Sequence, residues 1–169
     1  SHLGTIPTIL GYSAWWSFAD PEEAIESQLF HTDHEDYRFC KLFIYLTDVD
    51  EDGGPHVYVE GTHEPDTIAA LRRQWADEET AFDDWFFRNF WKDEEQTRHY
   101  CGRDPITLTG AAGSCFLVNT RGIHKGLLPR SKDRLICQVL YGVAPRLLEE
   151  WDPLRLGTPK GDAVPTSVR

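Results

Sequence analysis

Alternation of apolar and polar positions dominates both ends of the chain, and helical spacing is confined to its middle. Residues 6–10 and 12–18 read as short strands split by Gly11. Residues 28–33 (QLFHTD) form a further extended stretch, and residues 39–47 (FCKLFIYLT), rich in aromatic and β-branched side chains, form the clearest strand. The acidic, glycine-containing segment 48–55 turns the chain into a strand at 56–59, and later strands fall at 106–108, 114–119 and 135–143. A brief helical turn is expected at 20–24, with Asp20 as N-cap and Pro21 at the first helical position. Beyond Pro145 the tail reads as irregular chain on the surface. In the middle, residues 66–75 suit a helix. Residues 78–90 place Phe82, Trp85, Phe86 and Phe90 at i, i+3, i+4 and i+8, one stripe of a second helix. Many short strands with a helical insertion over 64–104 predict a mainly β fold, a double-sheet jelly roll or related barrel, in a single domain over 1–169.

A chain of 169 residues buries a substantial core. Its net charge of −11 argues against nucleic acid, where Lys and Arg must neutralise phosphates, and against an anionic membrane surface. No apolar run approaches a transmembrane helix, and the N-terminus carries no basic-then-apolar signal pattern. Cys40, Cys115 and Cys137 fall in apolar strand-like runs, where a thiol behaves as a small hydrophobe, whereas Cys101 lies in a polar stretch and is expected at the surface. Reduced cysteines point to the cytoplasm. The chain starts Ser1-His2-Leu3 and contains no methionine, which reads as an expression scar or a trimmed fragment and leaves room for a missing N-terminal segment.

The chemistry sits at His31 and Asp33. In an extended strand, residues i and i+2 share a face, so a nitrogen and an oxygen donor point the same way. His124, in Gly122-Ile123-His124-Lys125-Gly126, is the distant partner that completes a two-histidine, one-carboxylate set, the geometry of non-haem Fe(II) sites with open positions. His34 and Asp36 repeat the spacing, but Phe30 before the first pair and the distance to the 39–47 strand favour His31 and Asp33. Arg134, ten residues past His124, opens the apolar run 135–141. Taken singly, each of these is an ordinary strand-edge polar residue; together they form a site.

From His31 onward the sequence resembles the phytanoyl-CoA dioxygenase family of Fe(II)/2-oxoglutarate oxygenases. The likeness rests on His31-Thr32-Asp33, on the run from Lys41 to Val49, and on Gly53-Gly54-Pro55 leading to Glu60-Gly61-Thr62-His63. It continues through Asn119-Thr120-Arg121-Gly122-Ile123-His124 and Arg134. The resemblance implies a double-stranded β-helix with Fe(II) held by His31, Asp33 and His124, 2-oxoglutarate chelating the iron, and Arg134 anchoring its far carboxylate. It also implies O2-dependent conversion of 2-oxoglutarate to succinate and CO2, coupled to oxidation of a small organic substrate. An arginine suits the anchor, because it offers two parallel donors and stays charged when desolvated. Asp33 points to hydroxylation or a related oxidation, since halogenating relatives carry a small residue there. Two departures touch the loops: Leu127-Leu128-Pro129 stands where relatives often have an Asn, and Glu60-Gly61-Thr62-His63 replaces the usual Pro-Gly-Ser-His.

Several weaker expectations accompany this reading. Gln28 and Ser131 are candidate cosubstrate or substrate contacts, Ser131 by sharing the distal carboxylate with Arg134. His2, His56, His63 and His99 read as structural or exposed. Trp85, Phe86 or Trp91 is expected to shape the substrate pocket, with 64–104 as a lid. Arg121, Lys125, Arg130, Lys132 and Arg134 crowd the loop around His124, a local positive field suited to steering a dianion. A non-catalytic jelly-roll module that binds a metal or ligand is the other reading.

Overall fold

A computed structural model describes residues 2–19, 24 and 26–143. Among them seven strands make two antiparallel sheets. The larger has the order β1 (Thr8–Ser17), β7 (Arg134–Gly142), β2 (Phe39–Tyr45), β5 (Cys115–Val118). The smaller runs β4 (Ile106–Leu108), β3 (His56–Tyr58), β6 (His124–Gly126). The two sheets are those of the jelly roll, and the fold class expected from the alternating pattern holds. The helical turn expected at 20–24 and the tail beyond Pro145 lie outside the described residues, Ala24 excepted.

Register fixes which side chains enter the space between the sheets. On β2, Phe39, Lys41, Phe43 and Tyr45 alternate inward; Lys41, Phe43 and Tyr45 pair with Leu140, Gln138 and Ile136 of β7. Continuing along β7, the same parity turns Arg134 inward. Phe43, Tyr45, Val49, Tyr58, Val118 and Ile136 close this inter-sheet core. Opposite parity puts Tyr12, Trp16, Leu46 and Leu117 on the outer face of the larger sheet, where they are exposed. β1 runs unbroken through Gly11, which marks a register shift after Ile9 in place of a break.

The helical segment covers the outer face of the smaller sheet. Val57, Val59 and Ile123 pack there against Leu71, Phe82, Trp85, Phe86 and Tyr100. These come from α1 (Pro65–Gln74), α2 (Glu79–Asp83), the π-helical turn that continues it over Asp84–Arg88, and α3 (Glu94–Cys101). The helix expected over 78–90 is therefore interrupted. Asn89 N–H donates to Asp84 O at 2.9 Å, an i→i+5 bond, and the extra residue per turn rotates Phe90 off the buried stripe. Phe82, Trp85 and Phe86 are buried, while Phe90 is 54% exposed. Helix α3 has legible ends: the Asp93 carboxylate caps Gln96 N–H at 2.9 Å and Gly102 takes a left-handed conformation after the last turn. Cys101, at its end, is buried, and Cys115 is exposed, the reverse of the expectation; the polar stretch around Cys101 is the solvent side of α3. All four cysteines are free thiols.

Candidate metal centre

Residues 28–33 do not form the expected strand. Glu26–Gln28 is a 3₁₀ turn, after which the chain touches its neighbours through single bridges, Phe30 to Lys92 and His31 to His124. The second bridge is reciprocal: His31 N–H donates to His124 O at 2.9 Å, and His124 N–H to His31 O at 3.0 Å. Asp33 N–H donates to Thr120 O at 2.8 Å. The segment is thus stitched to the free edge of β6. This places His31 opposite His124 although residues far apart in sequence carry them.

Both imidazoles are oriented by backbone carbonyls. His31 Nδ1 lies 2.8 Å from Leu29 O and His124 Nδ1 lies 2.9 Å from Gly122 O. A carbonyl only accepts, so each Nδ1 carries the proton and each Nε2 keeps its lone pair, the tautomer a metal ligand needs. His31 Nε2 sits 3.8 Å from Asp33 Oδ1, and His124 Nε2 sits 3.5 Å from Asp33 Oδ2. One potential ligand atom from each of the three residues lies within 4.8 Å of the others. Burial pushes the His124 imidazole down to about 4, helped by His31 and opposed by Asp33. Burial also lowers His31, against the pull of the Leu29 carbonyl and Asp33. Burial opposes ionisation of Asp33 as well, but His124 and Lys41 outweigh it and hold the carboxyl below its ordinary range. Two neutral imidazoles and one carboxylate are a donor set that fits a divalent transition metal.

Lys41 is the first residue the sequence reading passed over. Its ammonium lies 2.6 Å from Asp33 Oδ2 and 3.5 Å from Glu35. The signal was present in the pattern: a lysine at an inward position of the apolar strand FCKLFIY needs a buried partner.

Arg134 lies further along the same inter-sheet space. It is 5% exposed, and no carboxylate pairs with it among the described residues. It donates to Gly54 O and, at 2.9 Å, to the Ser17 hydroxyl, while its Nε has no partner. Gly54 takes a positive φ of 72°, and a Cβ there would meet Leu127 O at 2.6 Å, so glycine alone presents this carbonyl. Ser17, not Ser131, supplies the hydroxyl at Arg134; Ser131 is exposed in the loop before β7. Gln28 is half-buried at the end of its 3₁₀ turn. The basic cluster around His124 is dispersed: Lys125 is buried against Glu94 at 2.7 Å, Lys132 pairs with Asp50 at 2.6 Å, and Arg121 donates to Tyr37 O. At the other side of the centre, the Trp91 ring stands 5.3 Å and the Phe90 ring 6.3 Å from the His31 ring. Trp85 and Phe86 instead belong to the core behind the smaller sheet.

The family model for phytanoyl-CoA dioxygenase matches residues 14–135, most of the chain, from the second half of β1 to just past Arg134. The chain belongs to the phytanoyl-CoA dioxygenase family. Among solved structures, the chain is similar to a non-heme alpha ketoglutarate dependent carbocyclase, SnoK, from nogalamycin biosynthesis, at 16% identity and a TM-score of 0.55, with 80% of this chain and 49% of that one covered. It is similar to EctD from S. alaskensis, solved with bound Fe, at 16% identity and a TM-score of 0.54, covering 83% of this chain and 46% of that one. HygX from Streptomyces hygroscopicus, solved with nickel and 2-oxoglutarate, follows at 17% identity and a TM-score of 0.50, covering 88% and 62%. At these identities the likeness is one of fold, and the chain spans about half the length of SnoK and EctD. No curated protein sequence matches the chain. Among the described residues no helix is long and apolar enough to cross a membrane.

Proposed function

We propose that this member of the phytanoyl-CoA dioxygenase family is an Fe(II)/2-oxoglutarate-dependent dioxygenase that oxidises, by hydroxylation, a small organic metabolite in the cytoplasm. The observation that carries the reading is Arg134: a buried guanidinium with no carboxylate partner among the described residues, in the same inter-sheet space as the His31, Asp33 and His124 donor set. A buried cation left unpaired is costly, and a dicarboxylate cosubstrate removes the cost. On this reading His31, Asp33 and His124 hold the iron. Bound iron with 2-oxoglutarate supplies dioxygen activation, with loss of CO2 and formation of succinate.

The protein's part is position and shielding. The Leu29 and Gly122 carbonyls fix the imidazoles, Lys41 fixes the Asp33 carboxylate, and Ser17 with Gly54 fixes Arg134. Phe90 and Trp91, between the π-helical turn and α3, form an apolar lip beside His31 that shields the centre and meets the substrate. The four free thiols support a reducing compartment. The substrate follows from screening metabolites for stimulated succinate formation by the iron-loaded chain; no stimulation across amino-acid-like, acyl and terpenoid classes would favour the non-catalytic module.

A further inference from the structure

Four buried side-chain polar atoms lack a hydrogen-bond partner among the described residues: His56 Nε2, Trp85 Nε1, Thr120 Oγ1 and Arg134 Nε. Two of them, on His56 and Arg134, face the space between the sheets from neighbouring positions. His56 is 4% exposed at the start of β3, with its ring nearly parallel to that of His124 at 5.4 Å. Phe43 at 4.9 Å and Phe116 at 5.5 Å hold its other sides. Its cross-strand partner is Gly126, two residues beyond His124 on β6. A Cβ at Gly126 would approach the Arg134 guanidinium nitrogens to 3.3 and 3.4 Å, so the guanidinium lies directly over that glycine. His56 therefore neighbours His124 on one side and is the cross-strand partner of the glycine over which the arginine lies.

We propose that His56 is a cosubstrate-anchoring residue, its Nε2–H donating to the 2-oxoglutarate carboxylate that also meets Arg134. This deepens the function proposed above and rests on it. A carboxylate offers about four lone-pair sites, and Arg134 keeps a buried Nε with no hydrogen-bond partner among the described residues. A neutral donor on the adjacent strand completes the set without adding charge to an already cationic corner. The position is rigid. The His56 backbone N–H donates to Tyr45 Oη at 2.9 Å, and Tyr45 in turn donates to Leu108 O at 2.7 Å, which ties β3 to both the larger sheet and β4. Flanked by Phe43, Phe116 and His124, the ring is 4% exposed, so bulk water does not satisfy its Nε2 and a bound ligand is the partner open to it.

The test is calorimetric titration of the full chain loaded with Mn(II), which holds the cosubstrate without turnover. Wild type binds 2-oxoglutarate. In His56→Leu the affinity falls roughly 10- to 100-fold while Mn(II) affinity stays within about two-fold, and His56→Gln, which restores an N–H donor, recovers most of the loss. 2-Oxobutyrate, which lacks the distal carboxylate, binds wild type and His56→Leu alike. Should His56→Leu not fold, the wild-type protein still decides the matter: with Zn(II) bound, addition of 2-oxoglutarate brings the His56 Nε2–H into a slowly exchanging, hydrogen-bonded NMR signal. Unchanged 2-oxoglutarate affinity in a folded His56→Leu, an equal loss for 2-oxobutyrate, or an unaltered His56 signal overturns the role of His56 alone. Failure of wild type to bind 2-oxoglutarate at all overturns the function on which it rests.

Discussion

The two faces of the smaller sheet are equally buried and chemically opposite. Behind it, Val57, Val59 and Ile123 meet Phe82, Trp85, Phe86 and Tyr100 in a layer of aromatic contacts, such as Phe82 stacked on Phe86 at 5.7 Å and Trp85 against Tyr100 at 4.9 Å. In front, His56 and His124 share an enclosed space with His31, Asp33, Lys41 and Arg134. The rear face gains stability from every apolar contact it makes. Among the described residues, the front face holds a cation, Arg134, without a counter-charge and an imidazole nitrogen, His56 Nε2, without a partner. A protein selected for stability alone fills such a space with hydrocarbon; what the front face spends in stability it recovers as affinity for a charged ligand.

Four substitutions set the faces against each other. Trp85→Ala removes a large side chain from the rear layer and lowers unfolding free energy by about 3–5 kcal/mol; denaturant titration reads this, while metal and 2-oxoglutarate affinities of the folded fraction stay unchanged. Arg134→Met does the reverse. It costs about 2–5 kcal/mol of 2-oxoglutarate binding, read by calorimetry, and leaves the metal-free protein as stable as before or more so. A loss of cosubstrate affinity in Trp85→Ala, or a strong destabilisation in Arg134→Met, erases the distinction.

Lys92 lies at the seam, buried with its ammonium on Asn89 O at 2.8 Å and no acidic partner among the described residues. Burial pulls it from 10.5 down to about 8, with the Cys101 thiol opposing. The folded value is the lower one, so between about pH 8 and 10.5 the unfolded chain binds more protons and unfolding free energy rises with pH. This contribution is complete above the unfolded value and lost as pH falls through the folded one. Lys92→Met flattens that rise and stabilises the protein at neutral pH by roughly 1 kcal/mol. An alkaline limb that survives the substitution belongs to another group. The smallest effect is expected at Trp91→Ala, which opens the apolar lip beside His31. Metal affinity holds, and 2-oxoglutarate consumption without substrate rises a few-fold; unchanged uncoupled turnover removes Trp91 from the shield.

Legibility in the sequence followed the same division. The alternation in residues 39–47 and 135–143 located β2 and β7, because a strand with one face in the core must alternate. His31, Asp33, His124 and Arg134 were nameable from spacing and family likeness, and the structure brings the first three together with Arg134 along the same space. The strand at 28–33 was not real, since the segment is held by bridges to β6 and Lys92 that no local pattern announces. His56 read as an incidental histidine because its meaning depends on the β3–β6 register, which sets it beside Gly126 and under Arg134. Ser17 was invisible for a similar reason: it reaches Arg134 through the β1–β7 pairing. The stripe of aromatics was legible as one helical face, but Trp85 and Phe86, expected at the substrate pocket, lie in the core, and the π-helical turn that carries Phe90 off the stripe depends on tertiary packing.

The central claim is that His31, Asp33 and His124 hold iron and that 2-oxoglutarate joins it beside Arg134. It is met most directly by anaerobic addition of Fe(II) and then 2-oxoglutarate to the full chain, followed by visible absorption. A weak charge-transfer band that grows to one equivalent of 2-oxoglutarate and is lost in His31→Ala is the expected result. Absence of the band in the wild-type chain, or an undiminished band in His31→Ala, contradicts the account.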